Sequence, residues 1–199
     1  KRAINTGVVV SGSTVIISHG DENLTGNEMG MLAVIDGSQT GDIKTTKWAH
    51  YGEQVGFSSA LVDGTRLYQM ENGSRLIAYD IETGKELWRQ PLGTSQKAPP
   101  VLADGKIYVG TEGGEFLIVR PGPTGGQILS KVELPVSKLS CCGSEGTPEQ
   151  VLGGAAISRG RIFFASSDAV YAIGSRQATS PTGLAVDQPA VVGSGAPAC

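Results

Sequence analysis

Apolar residues come in short runs along the chain, each closed within a few positions by a turn rich in Gly, Asp, Asn or Ser. That is the pattern of short antiparallel strands joined by tight hairpins. The pattern also repeats. VVVSGSTVIISHG followed by GMLAVIDGSQTGDIKTTKW aligns with FSSALVDGTRLYQMENGSRLIAYDIETGKELWRQPL and with APPVLADGKIYVGTEGGEFLIVRPGPTGGQILSKVEL; GGAAISRGRIFFASSDAVYAIGSR matches over the first three strands only. The anchors Val15, Leu67, Ile107 and Ile162 head the second strand of each unit and are expected to be buried. Their spacing is about 40 where no loop intervenes, which is the period of a propeller blade. The expected fold is all-β: a β-propeller of about four blades, a partial ring, with almost no helix.

Turn chemistry sets the internal layout of a unit. Asp63-Gly64, Asp104-Gly105 and Arg159-Gly160 close the first hairpin, and Asn72-Gly73 and Glu112-Gly113-Gly114 close the second. Gly supplies the positive φ that such turns need. Thr40-Gly41, Thr83-Gly84 and Thr124-Gly125 join strands three and four, and Trp48 and Trp88 stand in the fourth strand, where packing between blades is expected. Gly64, Gly84, Gly105, Gly125 and the two tryptophans are therefore structural positions. Tyr68, Tyr79, Tyr108, Phe116, Phe163, Phe164 and Tyr171 recur at matching strand positions and read as core.

The units fall at about 8–51, 55–92, 98–135 and 153–176 onward, so 1–176 reads as the propeller part. Asp21 to Glu28 and Ser137 to Gly153 interrupt the period and are expected as surface loops. Residues 177–199, rich in Pro, Gly and Ala, read as a linker to a further domain. Their apolar patches, Leu184 to Val186 and Val191-Val192, are an alternative source of the last blade's fourth strand.

Composition narrows the function classes. A chain of 199 residues with 29 Gly, 10 Pro and 18% charged residues is no helical bundle, and 39% hydrophobic content exceeds what a disordered chain carries. A net charge of -3, with Lys and Arg scattered singly, argues against nucleic acid or an anionic membrane as partner. No apolar run is long enough to span a bilayer. The three cysteines, Cys141, Cys142 and Cys199, leave disulfide pairing and compartment open.

The string LIAYDIETGKELWR, preceded by VDGTRLY and followed by ADGKIYVGTEGGEFLIV, resembles the pyrroloquinoline-quinone (PQQ) type β-propeller repeat over residues 8–176. The resemblance implies a ring of seven or eight blades. Four blades are then part of a longer propeller, or they close on another copy or another chain. The repeat is shared by quinoprotein dehydrogenases and by non-catalytic propellers such as the outer-membrane assembly lipoprotein, so function must come from the sites.

Cys141-Cys142 is the sharpest chemical feature, because quinoproteins of this resemblance hold PQQ against a ring formed by adjacent cysteines. The Asn-Arg-Gly stretch that follows in the family pattern is missing, the nearest match being Arg159-Gly160, and no acidic set for the cofactor's calcium can be aligned. The alternatives are a loop cysteine bridging Cys199 or lying free, and a strained vicinal disulfide without a function. Asp21, Asn23 and Thr25 place oxygen ligands at alternate positions beside Gly26, as short calcium loops do, against an ordinary polar hairpin. His19 and His50 lack a third ligand and read as solvated or capping. Glu112 and Glu115 read as solubilising hairpin charges. The resulting expectation is a non-catalytic scaffold for protein partners, exported to the periplasm or beyond the cell, with no cofactor. The rivals are a PQQ- and calcium-dependent alcohol or sugar dehydrogenase and a purely structural module of a larger secreted protein.

Overall fold

The computed structural model describes residues 4–23, 26–138 and 146–174. Fifteen strands and no helix make up the secondary structure of these residues. They form four antiparallel sheets, each built in chain order. Blade 1 contains β1 (Val9–Ser11), β2 (Thr14–Glu22), β3 (Met29–Asp36) and β4 (Trp48–Tyr51). Blade 2 contains β5 (Leu61–Asp63), β6 (Arg66–Met70), β7 (Arg75–Asp80) and β8 (Glu86–Pro91). Blade 3 contains β9 (Val101–Ala103), β10 (Lys106–Gly110), β11 (Glu115–Pro121) and β12 (Gly126–Glu133). Blade 4 has three strands among the described residues, β13 (Ala156–Ser158), β14 (Arg161–Ala165) and β15 (Val170–Gly174).

The first hairpins reach the same two-residue loop by two routes. Gly12 and Gly64 carry positive φ at the first loop position of blades 1 and 2, whereas Asp104-Gly105 and Arg159-Gly160 carry it at both positions in blades 3 and 4. The blade 2 loop is thus Gly64-Thr65, one residue later than the Asp63-Gly64 read from sequence, because Asp63 itself pairs with Arg66.

Because side chains alternate across a strand, every blade has two faces, and each inner junction joins the trailing face of one blade to the leading face of the next. Ile16, Leu32, Val34 and Trp48 of blade 1 pack on Leu67, Ile77 and Tyr79 of blade 2. Tyr68, Leu76, Ala78 and Trp88 of blade 2 pack on Ile107, Val109, Leu117 and Val119 of blade 3. Tyr108, Phe116 and Ile118 of blade 3 pack on Ile162, Phe164, Tyr171 and Ile173 of blade 4. Leu67 and Ile107 are fully buried. Val15 and Ile162 are only half-buried, against expectation. Val15 points from the leading face of blade 1, which no described blade covers, and Ile162 belongs to blade 4, where three strands fall among the described residues.

The two tryptophans occupy one register. Trp48 pairs with Val34, and Trp88 with the equivalent Ala78. Each indole crosses to the next blade and donates from Nε1 to a backbone carbonyl of the hairpin joining its strands three and four: Trp48 to Ile81 and Trp88 to Gly122, both at 2.9 Å. Gly84 lies directly beneath the Trp48 ring. A Cβ at that position would sit 2.6 Å from Trp48 Cδ2, and the residue has φ +72°. Gly125 has ordinary φ and stands beside Gln90, whose Oε1 accepts from Gly126 N at 2.7 Å. At the third junction Ser130 holds the tryptophan register, and a stack of Phe116, Phe164 and Tyr171 takes over, with centroids 4.1 and 5.0 Å apart.

The long insertion is not simply a surface loop. Val136 and Pro148 bridge its base, and Val151, fully buried, fills the space beside Gly110, where a Cβ would come within 2.2 Å of it.

Two stability outcomes follow from the junctions. Trp88→Ala removes a buried indole and its hydrogen bond and should cost about 3–5 kcal/mol in denaturant unfolding. Gly84→Ala adds a methyl group into the Trp48 ring at a left-handed backbone position and should cost roughly 1–3 kcal/mol, read as a lowered Tm.

Candidate functional site

One end of the propeller carries the hairpins between second and third strands, and the chain folds back onto them each time it enters or leaves a blade. Asn72 N donates to Gln54 O at 2.8 Å, Glu112 N to Ser95 O at 3.2 Å and Ser167 N to Gln150 O at 2.8 Å. Connections that leave a blade clasp the same tips from the other side, Gln96 N to Asn72 O and Val151 N to Thr111 O, both at 3.0 Å. The hairpin tips and the connections thus form one continuous hydrogen-bonded rim.

Charged side chains are paired along this rim. Glu71, buried at the tip of the blade 2 hairpin, accepts from Arg75 Nε and from Arg89 Nη1 at 3.2 Å. Arg89 also reaches Glu53 at 2.7 Å and Glu86 at 2.9 Å, so one guanidinium on the fourth strand of blade 2 ties the connection from blade 1 to the hairpin tip that carries Glu71. These bonds hold the Arg89 pKa up, and the Arg89 bond holds that of Glu86 below its ordinary value. Lys97 pairs with Glu112 at 2.6 Å, and Ser95 donates to the same carboxylate. Burial alone would raise the Glu112 pKa, but the bonds from Lys97 and Ser95 outweigh it and the pKa is lowered. In blade 4, Glu149 accepts from Ser166 at 2.6 Å and from Tyr171 Oη at 2.7 Å, and that bond pushes the phenol up to about 12.

Two shallow clefts flank Asn72. One, of about 150 Å³, is lined by Gly52, Gln54, Glu71, Asn72, Gly73 and Arg75. The other, of about 170 Å³, is lined by Asn5, Gly20, Asp21, Gly56, Phe57 and Asn72. Small-molecule sites are typically larger, about 300–1,000 Å³. Phe57 stands 48% exposed at the rim with Lys97 Nζ 5.8 Å from its ring centroid.

The residues singled out from sequence are dispersed. Cys141, Cys142, Cys199 and Thr25 lie outside the described residues. Asn23 is buried and staples its loop, its Nδ2 donating to Glu28 O at 2.7 Å and Gly30 O at 2.9 Å, while Asp21 Oδ1 accepts from Glu22 N. Among the described residues no three His, Cys, Asp or Glu side chains gather as a metal site. His50 Nε2 lies 2.6 Å from Gly84 O and the ring stacks on Tyr79. Glu112 and Glu115, read as solubilising hairpin charges, are both ion-paired, with Lys97 and Lys131. Sequence reading passed over Glu53, Glu71 and Arg89, which the sheet and a connection bring together from 18 and 36 positions away.

Fold and rim define a partial β-propeller. The profile of the outer membrane protein assembly factor BamB matches residues 27–122. The structure of BamB from Moraxella catarrhalis superposes with TM-score 0.66 at 15% identity, covering 86% of this chain and 50% of that one. The computationally designed Ika4 protein gives 0.61 at 12% identity, covering 86% and 91%. Europium-containing methanol dehydrogenase gives 0.58 at 14% identity, covering 81% and 35%. A curated relative, 1-butanol dehydrogenase (cytochrome c) of Thauera butanivorans, is 46% identical over 48 residues, 23% of this chain and 7% of that protein. Residues 27–122 are thus similar to the BamB-type propeller repeat, and the chain spans half the length of the BamB structure it superposes on.

Arg89→Ala should cost about 1–2 kcal/mol, since Glu71 keeps Arg75 but loses its second cation. Its pH dependence follows from Glu86. The lowered pKa contributes stability above the ordinary value of 4.5 that is lost as pH falls through the folded value. The variant's unfolding free energy should therefore fall less steeply with acid than the parent's, as measured by urea titration at stepped pH.

Proposed function

We propose that the chain is a non-catalytic scaffold that presents the hairpin rim, with Phe57 and the paired charges of Glu53, Arg89 and Lys97, to a protein partner in the periplasm or outside the cell. The observation that carries this reading is the rim itself, a rigid surface whose carboxylates are already bonded to cations or hydroxyl groups within the chain. The BamB profile match and the superposition on BamB support it; so does the absence of any Lys/Arg cluster suited to nucleic acid.

A second reading is favoured by the 46% identity to 1-butanol dehydrogenase over 48 residues: a dehydrogenase carrying PQQ with calcium, Cys141 and Cys142 lying against the quinone. The two rim clefts, smaller than ordinary small-molecule sites, are not where this reading puts the quinone, since Cys141 and Cys142 lie outside the described residues. No chemical step is derived through it.

Adding PQQ with calcium should produce neither a red-shifted quinone absorbance nor dye-linked alcohol oxidation; the appearance of both overturns the scaffold reading. Under the same reading Cys141→Ser, Cys142→Ser keeps the fold by circular dichroism and loses at most the few kcal/mol of a removed disulfide.

A further inference from the structure

Two buried amides break the apolar pattern of the blades at one place. Gln69 stands on the second strand of blade 2, opposite Ile77. At the same register the other blades carry Ile17, Val109 and Phe164, all apolar. Gln96 lies in the connection from blade 2 to blade 3. Gln54 O, Ser95 O and Gln150 O accept from the hairpin tips of blades 2, 3 and 4, and the residues that follow them are Val55, Gln96 and Val151. Val55 and Val151 are fully buried, and the two glutamines are as deeply enclosed, Gln69 at 0% and Gln96 at 1% exposure. A buried amide where the repeats place hydrocarbon is costly unless both of its ends are bonded.

One end of each is bonded. Gln69 Nε2 donates to Ser58 O at 2.7 Å and to Met70 O at 2.8 Å, and Gln96 Nε2 donates to Ala98 O. Carbonyls only accept, so these contacts fix which end of each amide is the nitrogen. Gln69 Oε1 and Gln96 Oε1 are buried and meet no donor among the described residues. Ser58 links the two amides. Its carbonyl receives Gln69, and its hydroxyl group lies 3.5 Å from Ala98 O, the carbonyl that receives Gln96.

We infer that this place is a binding site for one internal water molecule, which donates one hydrogen to Gln69 Oε1 and the other to Gln96 Oε1. Two acceptors without a donor match a ligand with two protons, and the loosely bonded Ser58 hydroxyl group can donate to the water's own oxygen. Internal waters typically make about three such bonds. A bare cation suits the site less well, because every group named here is a neutral dipole and none is a carboxylate that would offset the ion's dehydration. The water ties β6 to the connection that follows blade 2, where Ser95 and Lys97, on either side of Gln96, hold Glu112. The site lies beneath the rim and does not depend on what docks there.

A crystal structure of the 199-residue chain grown in rubidium chloride should show an ordered solvent peak within hydrogen-bonding distance of both amide oxygens and no rubidium anomalous signal on it. In solution, oxygen-17 magnetic relaxation dispersion should lose one long-lived water in the double variant Gln69→Val, Gln96→Val, whose circular dichroism matches the parent's, since valine is the residue at these registers in blade 3 and in the other two connections. A dry space between the amides, or amide oxygens bonded to protein donors, overturns the inference. So does a rubidium peak, and so does an unchanged dispersion in the folded double variant. Should that variant not fold, the parent crystal decides by itself.

Discussion

A single β-sheet with apolar side chains on both faces covers neither of them, and that constraint governs this molecule. Each blade has to lend its trailing face to one neighbour and its leading face to another. Stability therefore resides in junctions more than in sheets, as in other stacked-repeat architectures. The tryptophans make the first two junctions directional. An indole is large enough to leave its own sheet, lie over the next blade's hairpin and still place Nε1 on a carbonyl there. At the Trp48 contact the ring needs the space above Gly84, so a residue without a side chain in one blade is required by an aromatic residue in the blade before it.

The third junction solves the same problem with different material. Ser130 stands where a tryptophan would be, and stacked rings of Phe116, Phe164 and Tyr171 supply the apolar area instead. Tyr171 brings a hydroxyl group into that stack, and its bond to Glu149 links the aromatic column to the rim of hairpins and connections. Val151 does the same for the long insertion. It enters the core beside Gly110, while its backbone N–H closes on Thr111.

Much of the fold was legible because the features that specify it are local. Gly after a strand, a recurring anchor and a tryptophan at one register are visible within a few residues of one another, and they carry the strand order and the blade repeat. The exact loop at Gly64-Thr65 was missed by one residue, since Asp-Gly is a turn signal in blade 3 while blade 2 pairs its Asp63 in the strand. The half-burial of Val15 was not legible either: an anchor's burial depends on the blade opposite, and the pattern within a unit carries no record of whether that blade is present. The rim was the least readable part. Glu53, Glu71 and Arg89 share no motif, because antiparallel pairing and the returning connection bring them together from three separate strings.

The pairing on the rim also bears on how the two functional readings weigh against each other. A carboxylate already bonded to cations or hydroxyl groups has fewer lone pairs to offer a divalent cation, and a buried one that gave up a cation would lose a charge-assisted bond. Glu71 has two guanidinium partners, Glu112 an ammonium and a hydroxyl group, and Glu149 two hydroxyl groups. Each of these acids is committed to fastening a hairpin to a connection or to a neighbouring strand. A divalent cation recruited to Glu71 or Glu112 would stand beside the guanidinium or ammonium groups that already pair with them, so like-charge repulsion opposes a metal site there. A partner protein needs no metal ligand. It can dock against the paired charges and the exposed Phe57 ring while every bond that holds the rim stays in place.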